Sequence, residues 1–106
     1  MKNKKITESQ QTKAERQLYQ ALLSLKTIEE MQRFFQDLCT PTEIQAMTDR
    51  WQVVPAIKKQ MPYRKIHEKT GVSVTTIGRV ARNLTFGANG YNIAYERLKD
   101  MSHDNH

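Results

Sequence analysis

The sequence predicts an all-α protein that carries a helix-turn-helix in its C-terminal half. Apolar residues recur at steps of three and four along most of the chain, and no segment alternates at a step of two. Segment 62–84, PYRKIHEKTGVSVTTIGRVARNL, has the pattern of two short helices joined at Gly71. Residues 58–82, which overlap this segment, also concentrate positive charge, because only one acid, Glu68, accompanies seven bases: Lys58, Lys59, Arg64, Lys65, Lys69, Arg79 and Arg82.

Composition limits the classes to which the protein can belong. The 106 residues suffice for one small domain, and the net charge of +6 favours a polyanionic partner. Cys39 is the only cysteine, so no internal disulfide can form and a reducing cytoplasm is the expected location. No apolar run approaches the ~20 residues that cross a bilayer. The basic N-terminus lacks the apolar core of a secretion signal.

Both ends of the chain are polar, and we expect them to be disordered. Residues 1–12 show no hydrophobic period and form a basic N-terminal arm. Its lysines Lys2, Lys4 and Lys5 either follow DNA or, more simply, belong to a solvated tail. Residues 102–106 form a second tail. A single domain is therefore predicted over residues 13–101.

Two helices are predicted before residue 40. Leu18, Leu22 and Leu25 mark the first by their spacing. The second begins at Thr27, where Thr27 and Glu30 fit a reciprocal capping box. Its inward residues are Ile28, Met31, Phe34, Phe35 and Leu38.

The third helix has the clearest start signal in the chain. In Thr40-Pro41-Thr42-Glu43, a capping threonine precedes a proline at the first helical position and a glutamate that can bond back to the cap. Pro55 interrupts the apolar pattern of this helix and predicts a kink or a break near Trp51. The apolar stripe comprises Ile44, Met47, Trp51, Val54 and Ile57.

Segment 62–84 supplies the two helices of the motif. Pro62 starts the first, Gly71 ends it in a left-handed cap, and Ser73 caps the second. His67 and Thr70 depart from the usual pattern, which has a small residue and an apolar residue at these positions. For His67, a half-buried side chain whose hydrogen-bonding groups have partners is favoured over a role as a contact residue. The residues that pack the two helices together are Ile66, Val72, Ile77 and Val80, and Gly78 leaves room for a close approach.

In a docked helix-turn-helix, the first turn of the second helix points at base edges. Thr75 and Thr76 suit this task, because a threonine hydroxyl bonds several base edges and its methyl can meet that of thymine. The basic side chains would hold phosphates, which fix register without reading sequence. The candidate DNA-binding residues are Arg64, Lys65, Lys69, Ser73, Val74, Thr75, Thr76, Arg79 and Arg82. The alternative is a helical protein–protein interaction module with a basic face.

A last helix is predicted from about Tyr91 to Met101, after a turn over residues 86–90 whose glycines and asparagine tolerate positive φ. No enzyme is predicted, because Cys39 has no identifiable base nearby. No metal site is predicted either, since His67, His103 and His106 do not form a ligand cluster.

From about Thr27 to Leu98 the residues resemble the Trp repressor (TrpR) family, in particular its YerC/YecD-type branch. The opening Thr40-Pro41-x-Glu43 and the segment GVSVTTIGR over residues 71–79 resemble the family's third-helix start and its recognition segment. The resemblance implies an intertwined homodimer in which the first three helices of both chains build one core. It also implies a transcriptional repressor that binds a palindromic operator on double-stranded DNA.

An amino-acid-like corepressor is a further implication of the resemblance. Trp repressors hold their ligand between two arginines, whose positions Arg50 and Arg79 match, and Thr40 matches a ligand-contacting position at the dimer interface. Arginine grips a carboxylate through two parallel hydrogen bonds, although each arginine could equally be an ordinary surface residue. Val80 stands where tryptophan-binding members have glycine, so it either fills the space of the indole or faces the core. Tryptophan is therefore disfavoured as the corepressor.

Overall fold

Six α-helices and the short segments that join them lie within residues 7–104, the part of the chain that the computed structural model describes. No strand occurs among these residues, so the predicted all-α class is confirmed. The helices are α1 (Glu8–Ser24), α2 (Ile28–Leu38), α3 (Pro41–Lys58), α4 (Tyr63–Thr70), α5 (Val74–Phe86) and α6 (Gly90–Asp104).

The chain forms two compact units, where the sequence predicts one domain over residues 13–101. The first unit contains α1 and α2 and ends at Thr40, and the second begins at Pro41 and contains α3 to α6. The division falls at the proline that opens α3. The two units differ in their interior, because neither α1 nor α2 contains a buried residue.

Helix α1 begins inside the segment that the sequence predicts to be disordered. Thr7 Oγ1 accepts a hydrogen bond from the Gln10 amide at 3.1 Å, and Gln10 Oε1 accepts one from the Thr7 amide at 2.9 Å. This reciprocal capping box fixes the helix start. Residues 8–12 are therefore helical, which corrects the prediction for this part of the arm, and α6 extends to Asp104. Residues 1–6, with the lysines of the predicted arm, and residues 105–106 lie outside the described residues.

Helix α2 begins as predicted, with Thr27 at its N-cap. Thr27 Oγ1 accepts a hydrogen bond from the Glu30 amide at 3.0 Å. The Glu30 carboxylate, however, accepts from the Lys26 amide at 2.7 Å and not from the amide of Thr27. The reciprocal half of the predicted capping box is thus displaced by one residue. The chain still enters the helix with two amides satisfied.

Helix α3 runs unbroken through Pro55, so the predicted break is wrong, while a kink stays a prediction. A proline in a helix costs about 3 kcal/mol, because its nitrogen cannot donate to the carbonyl four residues earlier. The two residues before it, Val53 and Val54, are completely buried. Tertiary packing of these side chains therefore holds the turn helical. The Pro55 carbonyl also accepts from the Lys59 amide at 3.1 Å.

The core of the second unit lies where α3, α4 and α5 meet. All four residues that were predicted to join the helices of the motif are buried, and Val53 and Val54 complete the cluster. Trp51 and Tyr91 close its edge, with ring centroids 6.3 Å apart. The buried residues of the cluster are Val53, Val54, Ile66, Val72, Ile77 and Val80. This core supports the helix pair that carries the candidate interface.

Candidate nucleic-acid interface

Helices α4 and α5 and the turn between them occupy the predicted helix-turn-helix segment. Pro62 is the N-cap of α4, one position before the first helical residue. Gly71 ends this helix with φ 76° and ψ −2°, the left-handed conformation that its sequence position predicts. Its amide donates to the His67 carbonyl at 2.8 Å. The chain then needs only Val72 and Ser73 to reach α5.

Ser73 and Thr76 build the start of α5 together. Ser73 Oγ accepts a hydrogen bond from the Thr76 amide at 3.1 Å and donates to Thr76 Oγ1 at 3.0 Å. The Thr76 side chain is half-buried. One of the two predicted base-reading hydroxyls, that of Thr76, is thus engaged in holding the helix start, a role that the sequence indicates for Ser73 alone.

Val74 and Thr75 form the exposed part of the first turn of α5. The Val74 side chain is 52% exposed, and Thr75 is exposed beside it. Ile77 and Val80, on the opposite side of the helix, are completely buried. These two anchors fix which face of α5 is presented outward.

Five cations of the candidate set lie exposed on the same two helices. Among the residues whose side chains are described, the only ion pair joins Lys99 to Glu96, so none of the five is neutralised by a carboxylate. Arg82 lies over the ring of Phe86, 5.6 Å from its centroid. The exposed cations are Arg64, Lys65 and Lys69 on α4 and Arg79 and Arg82 on α5. Uncompensated positive charge on one helix pair is suited to phosphate groups.

His67 and Thr70, the two positions that depart from the usual motif, both bond to the turn. His67 Nδ1 lies 2.7 Å from the Val72 carbonyl oxygen. Thr70 Oγ1 donates to the Ile66 carbonyl at 2.7 Å and accepts from the Val72 amide at 3.1 Å. His67 is exposed overall, which corrects the prediction that it is half-buried, but its ring does have a partner.

The three predicted corepressor contacts are divided between the two units. Thr40 ends the first unit, whereas Arg50 on α3 and Arg79 on α5 belong to the second, in which these helices pack together. Arg50 is half-buried and Arg79 is exposed. Val80 is completely buried in the core cluster, which decides between the two alternatives that the sequence left for its side chain.

The junction between α5 and α6 contains Asn92, a residue for which the sequence predicts no role. Asn92 Nδ2 donates to the Leu84 carbonyl and to Asn89 Oδ1, each at 3.0 Å, and its oxygen accepts from Lys58 Nζ. No periodicity or motif marks such an asparagine. Only Asn89 uses a positive φ, 71°, in the predicted turn. A cavity of about 440 Å³ lies at this junction, lined by Asn83, Gly87, Ala88, Asn89, Gly90 and Tyr91.

Comparison with known proteins decides the family. The sequence profile described as Trp repressor protein matches residues 13–99. The chain belongs to the Trp repressor family. It is 44% identical over 84 residues to the uncharacterized protein YerC of Bacillus subtilis (strain 168), an alignment that spans 79% of this chain and 81% of YerC. The resemblance inferred from segments 40–43 and 71–79 is thereby confirmed.

Two solved structures share the fold of this Trp repressor family member. A TrpR-like protein from Eubacterium eligens ATCC 27750 is 42% identical, with a TM-score of 0.81 over 88% of this chain and 96% of that one. A candidate Trp repressor from Staphylococcus aureus is 35% identical, with a TM-score of 0.79 over 89% and 96% of the two chains. The family is one of DNA-binding regulators and not of enzymes. No described helix is long and apolar enough to span a membrane.

Proposed function

We propose that this protein is a sequence-specific transcriptional repressor that binds a palindromic operator as a homodimer. The observation that carries the proposal is the surface of α5. The first turn of this helix is exposed, Ile77 and Val80 on its opposite side are buried, and the cations of the candidate set form no ion pair with a described carboxylate. Helix α5 would enter the major groove, which admits one α-helix. The proposal implies a cytoplasmic protein.

Residues of the helix pair divide into two roles. Val74 and Thr75 would meet base edges, because they are exposed in the first turn of α5. Ser73 and Thr76 would support them by holding that turn. The exposed cations Arg64, Lys65, Lys69, Arg79 and Arg82 would bind phosphates and fix the register of the helix.

The exposed apolar side chains of the first unit support a homodimer. Leu23 is 85% exposed and Ile28 is 82% exposed, and Tyr19 and Leu38 add to this surface. Fully burying a leucine or isoleucine side chain contributes about 1.5–3 kcal/mol, so leaving this surface in water is unfavourable. A second copy of the chain would cover it symmetrically, which gives a two-fold dimer.

A corepressor with a carboxylate group is the finer part of the proposal. Arg50 is half-buried, and no carboxylate among the described side chains forms an ion pair with it. A partly desolvated guanidinium gains most from an anionic partner that it can bind through two hydrogen bonds. Arg50 and Arg79 would hold that group. Because Val80 packs in the core where tryptophan-binding relatives have glycine, an amino acid other than tryptophan is the better candidate.

Selection of duplexes from a random pool tests this proposal directly. We expect a palindromic sequence to be retrieved, and amino acids added as a panel to increase its retention if a corepressor acts. If 6–10 phosphates are neutralised, affinity falls about 10³–10⁵-fold between about 50 and 200 mM salt. Recovery of no preferred sequence, together with capture of an acidic protein partner, would favour the interaction module instead.

A further inference from the structure

The turn between α4 and α5 is held by side chains of α4. Val72 occupies its centre, and both polar groups of the Val72 backbone are bonded to side chains. Its amide donates to Thr70 Oγ1 at 3.1 Å, and its carbonyl oxygen lies 2.7 Å from His67 Nδ1. The Thr70 hydroxyl also donates a hydrogen bond to the Ile66 carbonyl at 2.7 Å, so it acts as donor and acceptor at once.

Val72 is also fixed by its side chain. That side chain is 4% exposed and packs in the core cluster with Ile66 and Ile77. Val72 is therefore held at three points. Its side chain packs in the core, its amide is bonded to Thr70, and its carbonyl is bonded to His67. Helix α5 begins two residues later, at Val74. A rotation of the Val72 peptide would change the direction in which the chain enters α5.

The contact with Val72 determines the protonation of the His67 ring. A carbonyl oxygen only accepts hydrogen bonds, so Nδ1 must carry the proton. In the neutral imidazole the other nitrogen, Nε2, is then unprotonated.

We propose that His67 and Thr70 are positioning residues that hold α5 at the angle from which Thr75 reads a base. This inference rests on the proposed function, and it assigns a role to the two residues at which the chain departs from the usual motif. The name Val72 clasp is used here for the hydrogen bonds that His67 and Thr70 make with Val72. Loss of the clasp allows the Val72 peptide to rotate, which changes the direction in which the chain enters α5. It removes neither a phosphate-binding cation nor a side chain that contacts a base. It therefore weakens discrimination between duplexes more than it weakens overall DNA binding.

Nuclear magnetic resonance of the full chain tests the clasp without DNA. In the wild-type protein we expect the ¹⁵N signals of His67, assigned by their loss in His67→Gln, to show the Nδ1–H tautomer. The Val72 amide should exchange about 2- to 10-fold faster in Thr70→Val, which removes the hydroxyl at nearly constant volume, but not in Thr70→Ser. A His67 ring protonated mainly at Nε2, or an unchanged Val72 amide in Thr70→Val, would overturn the clasp.

Binding to a selected operator and to a scrambled duplex tests the positioning role. His67→Ala and Thr70→Val should each reduce the ratio of the two affinities by about 2- to 10-fold. His67→Asn should restore it, because the asparagine amide nitrogen can take the place of Nδ1. Glu68→Gln serves as the control on the same helix. Ratios that are unchanged in both clasp variants would overturn the role in reading.

The two experiments distinguish the failure of this inference from that of the proposed function. If the wild-type protein prefers no duplex, the proposed function is wrong and the role in reading fails with it, whatever the resonance signals show. If the wild-type protein does prefer an operator but the clasp variants match it, only the inference is wrong.

Discussion

At the residue scale, two adjacent threonines of α5 have different surroundings. The Thr76 hydroxyl accepts a hydrogen bond from Ser73 and its amide donates back, so this residue stabilises the helix start. Thr75 is exposed, and among the described residues no hydrogen bond to its hydroxyl is formed. The side chain with an unused hydroxyl is the one that can bond a base edge without breaking the cap.

Thr75→Ala should therefore relax base preference. We expect about 1–3 kcal/mol of discrimination to be lost at one operator position, with little change in binding to unrelated duplexes. Lys65→Ala should instead weaken all duplexes alike and lower the slope of log affinity against log salt by about one. Quantitative band shifts with single-base operator variants provide the measurement.

Lys99→Ala is the matched control for the lysine variant. It removes the same charge from an exposed helix position, but its ammonium group is already paired with Glu96 at 3.1 Å. It should leave the salt slope unchanged. Equal effects of the Thr75 and Lys65 variants on every duplex would show that the two roles are wrongly assigned.

Val80 gives a second prediction at this scale, because its side chain is completely buried. Val80→Gly removes a core side chain and places glycine inside a helix, so the free energy of unfolding should fall by about 3 kcal/mol. Val80→Ala also shortens the core side chain but places no glycine in the helix, so it should cost about 1 kcal/mol less than Val80→Gly. Urea denaturation measures both values. A glycine variant as stable as the wild-type protein would show that this position is not part of the core.

The residues that could be predicted from sequence were those with a local physical signature. Gly71 was predictable because a left-handed helix end favours glycine, and the buried side of α5 followed from the spacing of Ile77 and Val80. The cap role of Thr76 was not predictable, since a threonine in a first turn suits base reading equally well. Gln60, with φ 61°, carries no signal at all. Its conformation is set by the fold around it.

At the element scale, the turn between α4 and α5 depends on the backbone conformation of Gly71. A Cβ at Gly71 would meet no atom within 4 Å, so space does not restrict this position. Its φ of 76° does, because side chains disfavour the left-handed region. The cost of a substitution here is therefore a measure of backbone strain alone.

Gly71→Ala should lower the free energy of unfolding by about 1–2 kcal/mol. Gly71→Asn should cost less, since asparagine tolerates the left-handed conformation better than alanine does. Thermal or urea unfolding followed by circular dichroism compares the two. An alanine variant with wild-type stability would contradict the left-handed helix end.

Elements were predicted well where their starts are encoded locally, as at Thr27 and Pro41. Two failures have physical causes. Helix α1 starts at the Thr7–Gln10 capping box, whose Ser/Thr-x-x-Gln pattern was present in the sequence but stood in a segment without apolar period. The break expected at Pro55 does not occur, because burial of Val53 and Val54 offsets the lost hydrogen bond. Such tertiary compensation cannot be read from the sequence of one helix.

At the scale of the whole molecule, the two units have different degrees of self-sufficiency. The second unit has its own buried cluster, whereas α1 and α2 of the first contain no buried residue. The exposed apolar side chains of α1 and α2 are typical of a chain that completes its core with a partner. We attribute it to the proposed homodimer.

Leu23→Glu should shift the protein towards monomers. The charge would have to be desolvated in the interface, at a cost far above the contribution of the leucine. Sedimentation velocity should show a dimer for the wild-type chain and for Leu23→Met, and a smaller species for Leu23→Glu. If the wild-type protein sediments as a monomer at all concentrations, the intertwined dimer is wrong.

Half-site spacing tests the central claim most directly, because the proposed dimer would hold its two identical α5 helices at a fixed separation. Affinity would be measured for duplexes that carry the selected half-site once, twice about 10 base pairs apart, or twice with about 5 base pairs inserted. We predict that the pair about one turn, roughly 34 Å, apart binds tightest, with one dimer per duplex. A single half-site that binds as tightly as the correctly spaced pair would contradict the account.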